Sequence, residues 1–149
     1  LRLNFVFCAL NAHDFEHVVE LIAERWTPRC EAAGGGIELS VSFVAPSTDL
    51  VPRTEALIPR YRDVLPALLR GLERADTLGL AVGGFDSMCG IPLCLVPPER
   101  TDLFTLGEVP HGYSGGETHA VGPCATCSAN TRCFGLRTGY AELYGTDDS

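Results

Sequence analysis

The sequence contains no lysine, so all eleven of its cationic residues are arginines, and nineteen acidic residues outnumber them. The formal net charge is therefore −8. Binding along a nucleic-acid backbone needs clustered basic side chains, and attraction to an anionic membrane surface needs them too. The composition predicts that neither nucleic acid nor a membrane is a partner of this chain.

Long apolar runs and an initiator methionine are also missing. No run approaches the roughly 20 apolar residues that a membrane-spanning helix needs. The opening LRLNFVFCALNAHDF has no basic n-region and no small-residue cleavage site, which argues against a signal peptide. We therefore expect a cytoplasmic protein. The only methionine is Met88, and since the first residues already have the pattern of a buried strand, truncation of a longer protein is the favoured explanation.

Strand-like and helix-like patterns alternate along the first half of the chain. Apolar, β-rich segments at residues 1–8, 37–45 and 78–85 predict three strands. Between them, apolar residues at helical spacing predict one helix after Asn11 and a second from Tyr61 to at least Leu72. This order implies right-handed βαβ units and a parallel sheet covered by helices. A closed eight-fold barrel takes about 250 residues, so this chain holds only part of one.

Local signals suggest where the two helices begin and end. Asn11 is predicted to be an N-cap, with Asp14 three residues later as a variant of the capping box. Pro28 and the glycines 34–36 are expected to end the first helix. If Asp63 is the N-cap of the second helix, Pro66 falls in the first turn, where its missing N–H costs little.

Three of the seven cysteines lie within ten residues, in the segment GPCATCSANTRCFGLRTGYAELYG at 122–145. Cys124, Cys127 and Cys133 form the pattern C-x2-C-x5-C. The C-x2-C pair places two thiolates on one tight turn, so both reach the same metal centre, and a fourth ligand comes from elsewhere. Four thiolates satisfy an iron–sulfur cluster and equally a tetrahedral zinc ion. Spacing alone does not choose between these two metals.

The fourth ligand is a choice between two cysteines of the segment CGIPLC at 89–94. Cys94 is preferred because it follows Pro92 on a stiff approach to the late cysteines, whereas Cys89 sits among glycines at a predicted strand end. Backbone N–H groups in the loop 128–132 are expected to donate to cluster sulfurs, which tunes the reduction potential.

Other candidate ligands are weaker. His111 and His119 lie between the cysteine segments, but loop histidines near cysteines are more often solvated. Cys8 lies on a core-like strand and Cys30 at a helix exit. Buried cysteine usually behaves as a small hydrophobe, so neither is assigned a role.

The tail CATCSANTRCFGLRTGYAELYG resembles the C-terminal ending of many radical S-adenosylmethionine proteins. In that ending, C-x2-C-x5-C-x-G is followed by an aromatic residue and a terminal Tyr-Gly, and here Gly135, Tyr140, Tyr144 and Gly145 occupy those places. IPLCL at 91–95 looks like the cysteine-bearing segment that precedes it. LNFVFCALNAHDFEHVVELI is similar to a late barrel strand and helix of the same superfamily, and SFVAP resembles the next strand.

The resemblance implies a fold and a division of the chain. Residues 1–85 would be the late strands of a partial parallel βα barrel. Residues 86–149, which are rich in Gly, Pro and Cys, show little periodicity and end in a predicted short helix at about 135–144, would be a Cys-rich auxiliary-cluster extension. By this resemblance, Cys94, Cys124, Cys127 and Cys133 would bind an auxiliary [4Fe–4S] cluster.

The resemblance also implies what this chain lacks. The family's N-terminal CxxxCxxC, which holds the [4Fe–4S] cluster that cleaves S-adenosylmethionine, does not occur in the sequence. That half would be N-terminal to Leu1, and the 149 residues alone are expected to be inactive. The implied partners are the chain's own N-terminal barrel half, a peptide or small-molecule substrate, and an electron donor such as ferredoxin or flavodoxin.

Two residues are predicted at the carboxyl mouth of the barrel, where active sites lie. Asn11 would lie on the S-adenosylmethionine side of this mouth, although a structural role as an N-cap is favoured. Arg53 in the loop 46–58 would meet an anionic group of substrate, although a solvated arginine is favoured.

Two other functions remain open at this point. One is a binding module whose tail is stapled by a four-cysteine zinc site. The other is a small iron–sulfur electron carrier, against which the βαβ pattern argues because such a carrier needs no partial barrel.

Overall fold

A computed structural model describes residues 1–44, 51–84, 90–100, 107–109, 118–119 and 122–146 of the chain. The first half contains three strands and three helices: β1 (Arg2–Phe7), α1 (Phe15–Arg25), α2 (Thr27–Ala32), β2 (Glu38–Phe43), α3 (Tyr61–Leu78) and β3 (Ala81–Gly83). Within these ranges no helix is both long enough and apolar enough to cross a bilayer.

The three strands form a parallel sheet in the order β1-β2-β3. Arg2 pairs with Glu38 at one end of β1, Phe7 pairs with Phe43 at the other, and β3 pairs with the first half of β2. The predicted alternation of strands and helices around a parallel sheet is confirmed. The described strands make an open sheet of three and no closed barrel.

Alternate residues of the strands bury aromatic rings under the helices. Phe7 of β1 lies 4.9 Å from Phe15 of α1 and 5.0 Å from Phe43 of β2, measured between ring centroids. Phe43 in turn meets Tyr61 of α3 at 5.9 Å. Since α1 and α3 both cover this side of the sheet, the hydrophobic core lies between the sheet and these two helices.

The opposite face of the sheet is polar. Arg2 and Glu38 form an ion pair at 2.9 Å, and the Ser42 hydroxyl donates to the Asn4 side-chain oxygen at 3.4 Å. Parallel strands buried on both faces are almost entirely apolar. This face is therefore suited to a solvated space rather than to a second helical layer.

The helix boundaries differ from the predictions in two places. Pro28 does not end the helical region: α1 ends at Arg25 and α2 follows directly, with Pro28 in its first turn, where a missing N–H is tolerated. The helical region ends at Ala32, just before the glycines 34–36, as predicted. Helix α3 begins at Tyr61, so Asp63 is not its N-cap and Pro66 lies in the second turn. The apolar face of α3 is buried on both sides of Pro66, and this packing stabilises the helix despite the proline.

The N-cap predicted at Asn11 is also wrong. A 3₁₀ turn at Ala12–Asp14 separates it from α1, and its side chain makes no capping bond. The Asn11 amide instead bonds backwards: its oxygen accepts the Cys8 N–H at 2.9 Å and its nitrogen donates to the Val6 carbonyl at 3.0 Å. Asn11 therefore closes the turn that leaves β1.

The C-terminal region adds a second, two-stranded antiparallel sheet and a helix: β4 (Thr118–His119), β5 (Leu136–Arg137) and α4 (Thr138–Tyr144). The sequence predicted the helix but neither strand, because a two-residue strand has no periodicity to recognise. The Tyr61 N–H donates to the Tyr140 hydroxyl at 3.0 Å, and the two rings stack with centroids 4.1 Å apart. Helix α4 is thereby packed against the start of α3.

Candidate metal centre

Four of the predicted ligands line one cavity. Cys94, Cys124, Cys127 and Cys133 surround a space of about 80 Å³, whose walls are largely apolar and include Leu93, Phe134 and Leu136. No disulfide links any two of these thiols within the described part of the chain. The tertiary structure therefore brings a distant cysteine to the three late ones.

Short turns hold three of the four cysteines at the cavity. Cys94 is the middle residue of a 3₁₀ turn, Leu93–Leu95, that follows Pro92. Cys124 belongs to a second 3₁₀ turn, Gly122–Thr126, and the Cys127 N–H donates to the Cys124 carbonyl at 3.2 Å. The C-x2-C spacing thus produces the tight turn that the sequence predicted.

Backbone N–H groups point at two of the sulfurs. Cys133 Sγ accepts from the Leu93 N–H at 3.4 Å and from the Gly135 N–H at 3.3 Å. Cys127 Sγ accepts from the Ala129 N–H at 3.4 Å. The last of these donors lies in the loop 128–132, as predicted. Such donors stabilise a thiolate more than a thiol, so they favour the ligating form of the cysteine.

The Leu93 N–H also joins the two cysteine segments. Leu93 precedes Cys94 in the chain, and its amide bonds the sulfur of Cys133, 40 residues away in sequence. Leu93 itself is buried in the hydrophobic core together with Ile91 and Val96. Cys94 is therefore held at the cavity by a segment anchored on both sides.

The electrostatics of the cavity oppose ionisation of Cys94 when no cation is bound. Partial burial of its thiol raises the pKa, and the neighbouring sulfurs of Cys133, Cys124 and Cys127 raise it further. Cys94 is nevertheless the most exposed of the four residues. A positively charged metal centre would stabilise the thiolate form of its ligands.

Among the described residues, no three Cys, His, Asp or Glu side chains lie close enough together to hold one metal ion. Thiolates around one zinc ion lie about 3.8 Å apart, as a tetrahedron with Zn–S bonds of about 2.3 Å requires.

Cys8, Cys30 and Arg53 do not line this cavity. Cys8 follows β1 and Cys30 lies on α2. Arg53 forms an ion pair with Glu142 of α4. His119 lies in β4, paired with Leu136, whereas Cys89 and His111 fall outside the described residues.

The sequence prediction missed a second cavity, at the carboxyl ends of β1 and β2. Its lining includes Arg60, Asp63 and Tyr144. One signal for it is present in the sequence. The two tyrosines of TGYAELY are four residues apart and lie on one face of a short helix, which indicates that this helix packs against another element. Which element it meets depends on the fold.

No protein-family model, curated protein or solved structure matches the chain.

Proposed function

We propose that this chain is the C-terminal part of a radical S-adenosylmethionine enzyme and that Cys94, Cys124, Cys127 and Cys133 bind an auxiliary [4Fe–4S] cluster. The observation that carries the proposal is the convergence of these four cysteines, from separate segments, on one largely apolar cavity. Such a cluster supplies electron transfer or a Lewis-acidic iron when it is bound. The chain's own residues hold it and shield it from solvent.

The hydrogen bonds at the cavity support a cluster. Three N–H groups donate to the sulfurs. Hydrogen bonds to sulfur are one of the means by which proteins set cluster potentials.

The sheet suits the proposed parent enzyme. Strands β1–β3 would be late strands of a partial βα barrel, with the polar face that carries Asn4 and Ser42 turned toward the lumen. The radical-generating [4Fe–4S] cluster and S-adenosylmethionine would be held by the N-terminal half of the parent protein. Its partners would be a peptide or small-molecule substrate and an electron donor such as ferredoxin or flavodoxin, in the cytoplasm.

Asn11 is a weak candidate for contact with S-adenosylmethionine. It lies beyond the carboxyl end of β1, where the proposed barrel mouth would be. Both polar atoms of its amide already bond the backbone of its own turn, so a structural role is favoured.

The proposal is tested by reconstituting the purified 149-residue chain with iron and sulfide under anaerobic conditions. We expect about four iron and four sulfide ions per chain, a brown sample with broad visible absorption, and a paramagnetic signal on reduction. A parallel sample receives zinc alone.

A colourless, iron-free chain that binds one zinc ion would overturn the cluster and favour the zinc-stapled binding module. A cluster that titrates reversibly, in a chain whose gene carries no CxxxCxxC upstream, would instead favour the electron carrier.

A further inference from the structure

A second cavity of about 250 Å³ lies beyond the carboxyl ends of β1 and β2. In parallel α/β sheets, ligands bind outside the carboxyl ends of the strands, because the loops that meet there supply the side chains. We call this cavity the carboxyl-edge pocket. Four stretches of chain line it, with the residues Ala9, Ala12, His13, Glu55, Pro59, Arg60, Asp63, Val64 and Tyr144.

Backbone and side-chain contacts hold the walls of the pocket together. The Ala9 N–H donates to the Leu57 carbonyl at 2.9 Å, which joins the loop after β1 to the segment before α3. The Tyr144 hydroxyl donates to the Ile58 carbonyl at 2.5 Å. The Arg60 guanidinium lies over the Tyr144 ring, 4.4 Å from its centroid. Helix α4 thus completes a pocket begun by the other three stretches.

The lining combines both signs of charge with an apolar floor. Glu55 and Asp63 supply carboxylates, Arg60 supplies a fixed positive charge, and Ala12 and Val64 are buried beneath them. Burial, followed by the nearby Glu55, raises the pKa of Tyr144, so its phenol stays neutral at physiological pH. A purely cationic ligand would face the positive charge of Arg60, and a purely anionic ligand would face the carboxylates of Glu55 and Asp63.

We propose that the carboxyl-edge pocket binds a small zwitterion of the α-amino acid class. The ligand's ammonium group meets Glu55 and Asp63, its carboxylate meets Arg60, and a small aliphatic side chain contacts Ala12 and Val64. A guanidinium is the preferred partner of a carboxylate. None of the four cysteines lines this pocket, so the proposal goes beyond the cluster and does not depend on it.

The test is titration calorimetry on the reconstituted full chain, with L-valine and L-leucine as probes. Isobutylamine and isovalerate are the matched controls, since they are valine without its carboxylate and without its ammonium group. We expect an amino acid to bind at least about fivefold more tightly than either single-charge analogue, because it makes both sets of charge-assisted contacts. Equal binding of the amine alone, or no binding of either amino acid, would overturn the proposal.

Variants locate the binding. Asp63→Asn and Arg60→Gln are each expected to weaken amino-acid binding about five- to tenfold. Glu73→Gln, an exposed carboxylate on the same helix outside the pocket, is expected to leave it unchanged. Iron content is measured on every sample, so loss of the cluster and loss of the pocket are separate results. Unchanged affinity in both pocket variants would mean that the amino acid binds elsewhere and would overturn the assignment of this pocket.

Discussion

Cys133 Sγ accepts hydrogen bonds from two backbone N–H groups, one of Gly135, two positions later, and one of the segment that carries Cys94. Cys127 accepts one, from the residue two positions later. At the scale of single residues, the cavity is therefore asymmetric, and individual substitutions are expected to have different effects on metal content and on potential.

Removal of one proposed ligand is the simplest residue-scale prediction. Cys127→Ala is expected to abolish stable [4Fe–4S] binding, because three thiolates leave one iron without its protein ligand. Cys30→Ala, on α2 and away from the cavity, is the matched control and should keep full colour. Iron and sulfide analysis measures both. Equal iron content in the two variants would contradict the ligand assignment.

The Leu93 amide offers a second residue-scale prediction. Leu93 is the first residue of its 3₁₀ turn, and Pro92 before it has φ −56° and ψ 136°, a conformation that tolerates a following proline. Leu93→Pro therefore removes the N–H donor to Cys133 with little backbone strain. Without this donor the extra electron is less stabilised, so the midpoint potential should fall by on the order of tens of mV.

Leu93→Ala is the control for that measurement, because it removes the same buried side chain but keeps the N–H. Potentiometric titration of both loaded variants compares them. Identical potentials would show that the Leu93 amide does not tune the bound centre.

At the scale of elements, α4 depends on its tyrosines for its position. The Tyr140 hydroxyl, on a fully buried side chain, accepts the Tyr61 N–H. Tyr140→Phe leaves that buried donor without its acceptor and should cost about 1–2 kcal/mol in the free energy of unfolding. Tyr144→Phe frees only the Ile58 carbonyl, whose bond is part-buried, and should cost less. Hydrogen exchange of the α4 amides measures how firmly α4 packs against the rest of the protein. Equal protection in the wild type and both variants would contradict the role of the tyrosines in positioning α4.

The contact between α1 and α3 depends on a glycine. A Cβ at Gly71 would lie 2.2 Å from a ring carbon of Phe15, and both residues are buried. Gly71→Ala should lower the free energy of unfolding by about 1–2 kcal/mol, since overpacking exceeds the gain of about 1 kcal/mol in helix propensity.

Gly36→Ala is the matched control, because a Cβ there meets no atom within 4 Å. Urea unfolding followed by circular dichroism measures both variants. A Gly71→Ala chain as stable as Gly36→Ala would mean that the helices separate without cost.

At the scale of the whole molecule, one hydrophobic cluster joins the sheet to the cysteine-bearing segments. It contains Phe5 and Val41 of the sheet together with Leu93, Leu136 and Tyr140. The metal centre and the carboxyl-edge pocket are therefore attached to one core, and β5 and α4 connect them directly. Cluster binding is expected to stabilise this end of the molecule most, because a ligand stabilises the state that binds it.

That expectation is a whole-molecule prediction about cluster removal. Extraction of iron with an oxidant and a chelator should raise hydrogen exchange in residues 122–146 much more than in β1 and β2, whose stability comes from the aromatic core. Mass-spectrometric exchange before and after extraction measures the difference. A uniform rise across the chain would mean that the cluster supports the sheet as well.

The gene itself provides the remaining whole-molecule test. If the chain is the late part of a radical S-adenosylmethionine enzyme, the reading frame upstream of Leu1 should encode CxxxCxxC after a predicted strand. An upstream reading frame without that motif would contradict the proposed radical chemistry. It would not affect the proposal that the four cysteines bind a metal centre.

Much of the fold was predictable from local patterns. Strands β1 and β2 and helices α1 and α3 follow apolar periodicity, which is a property of neighbouring residues and so can be read along the chain. The capping roles of Asn11 and Asp63 were predicted wrongly, because a short polar side chain bonds whichever backbone group the turn presents. The pair β4–β5 was missed for lack of any period.

The sequence by itself determined the types of chemical group and their local spacing: three cysteines within ten residues, two of them on one tight turn, an acidic composition without lysine, and alternating strands and helices. Only the tertiary structure brought Cys94 to the late cysteines, directed the Leu93 amide at Cys133, and joined Arg60, Asp63 and Tyr144 around one pocket. The physical reason is that residues far apart in sequence meet only after the hydrophobic core forms, and its packing, which depends on all its side chains together, sets the distances between them.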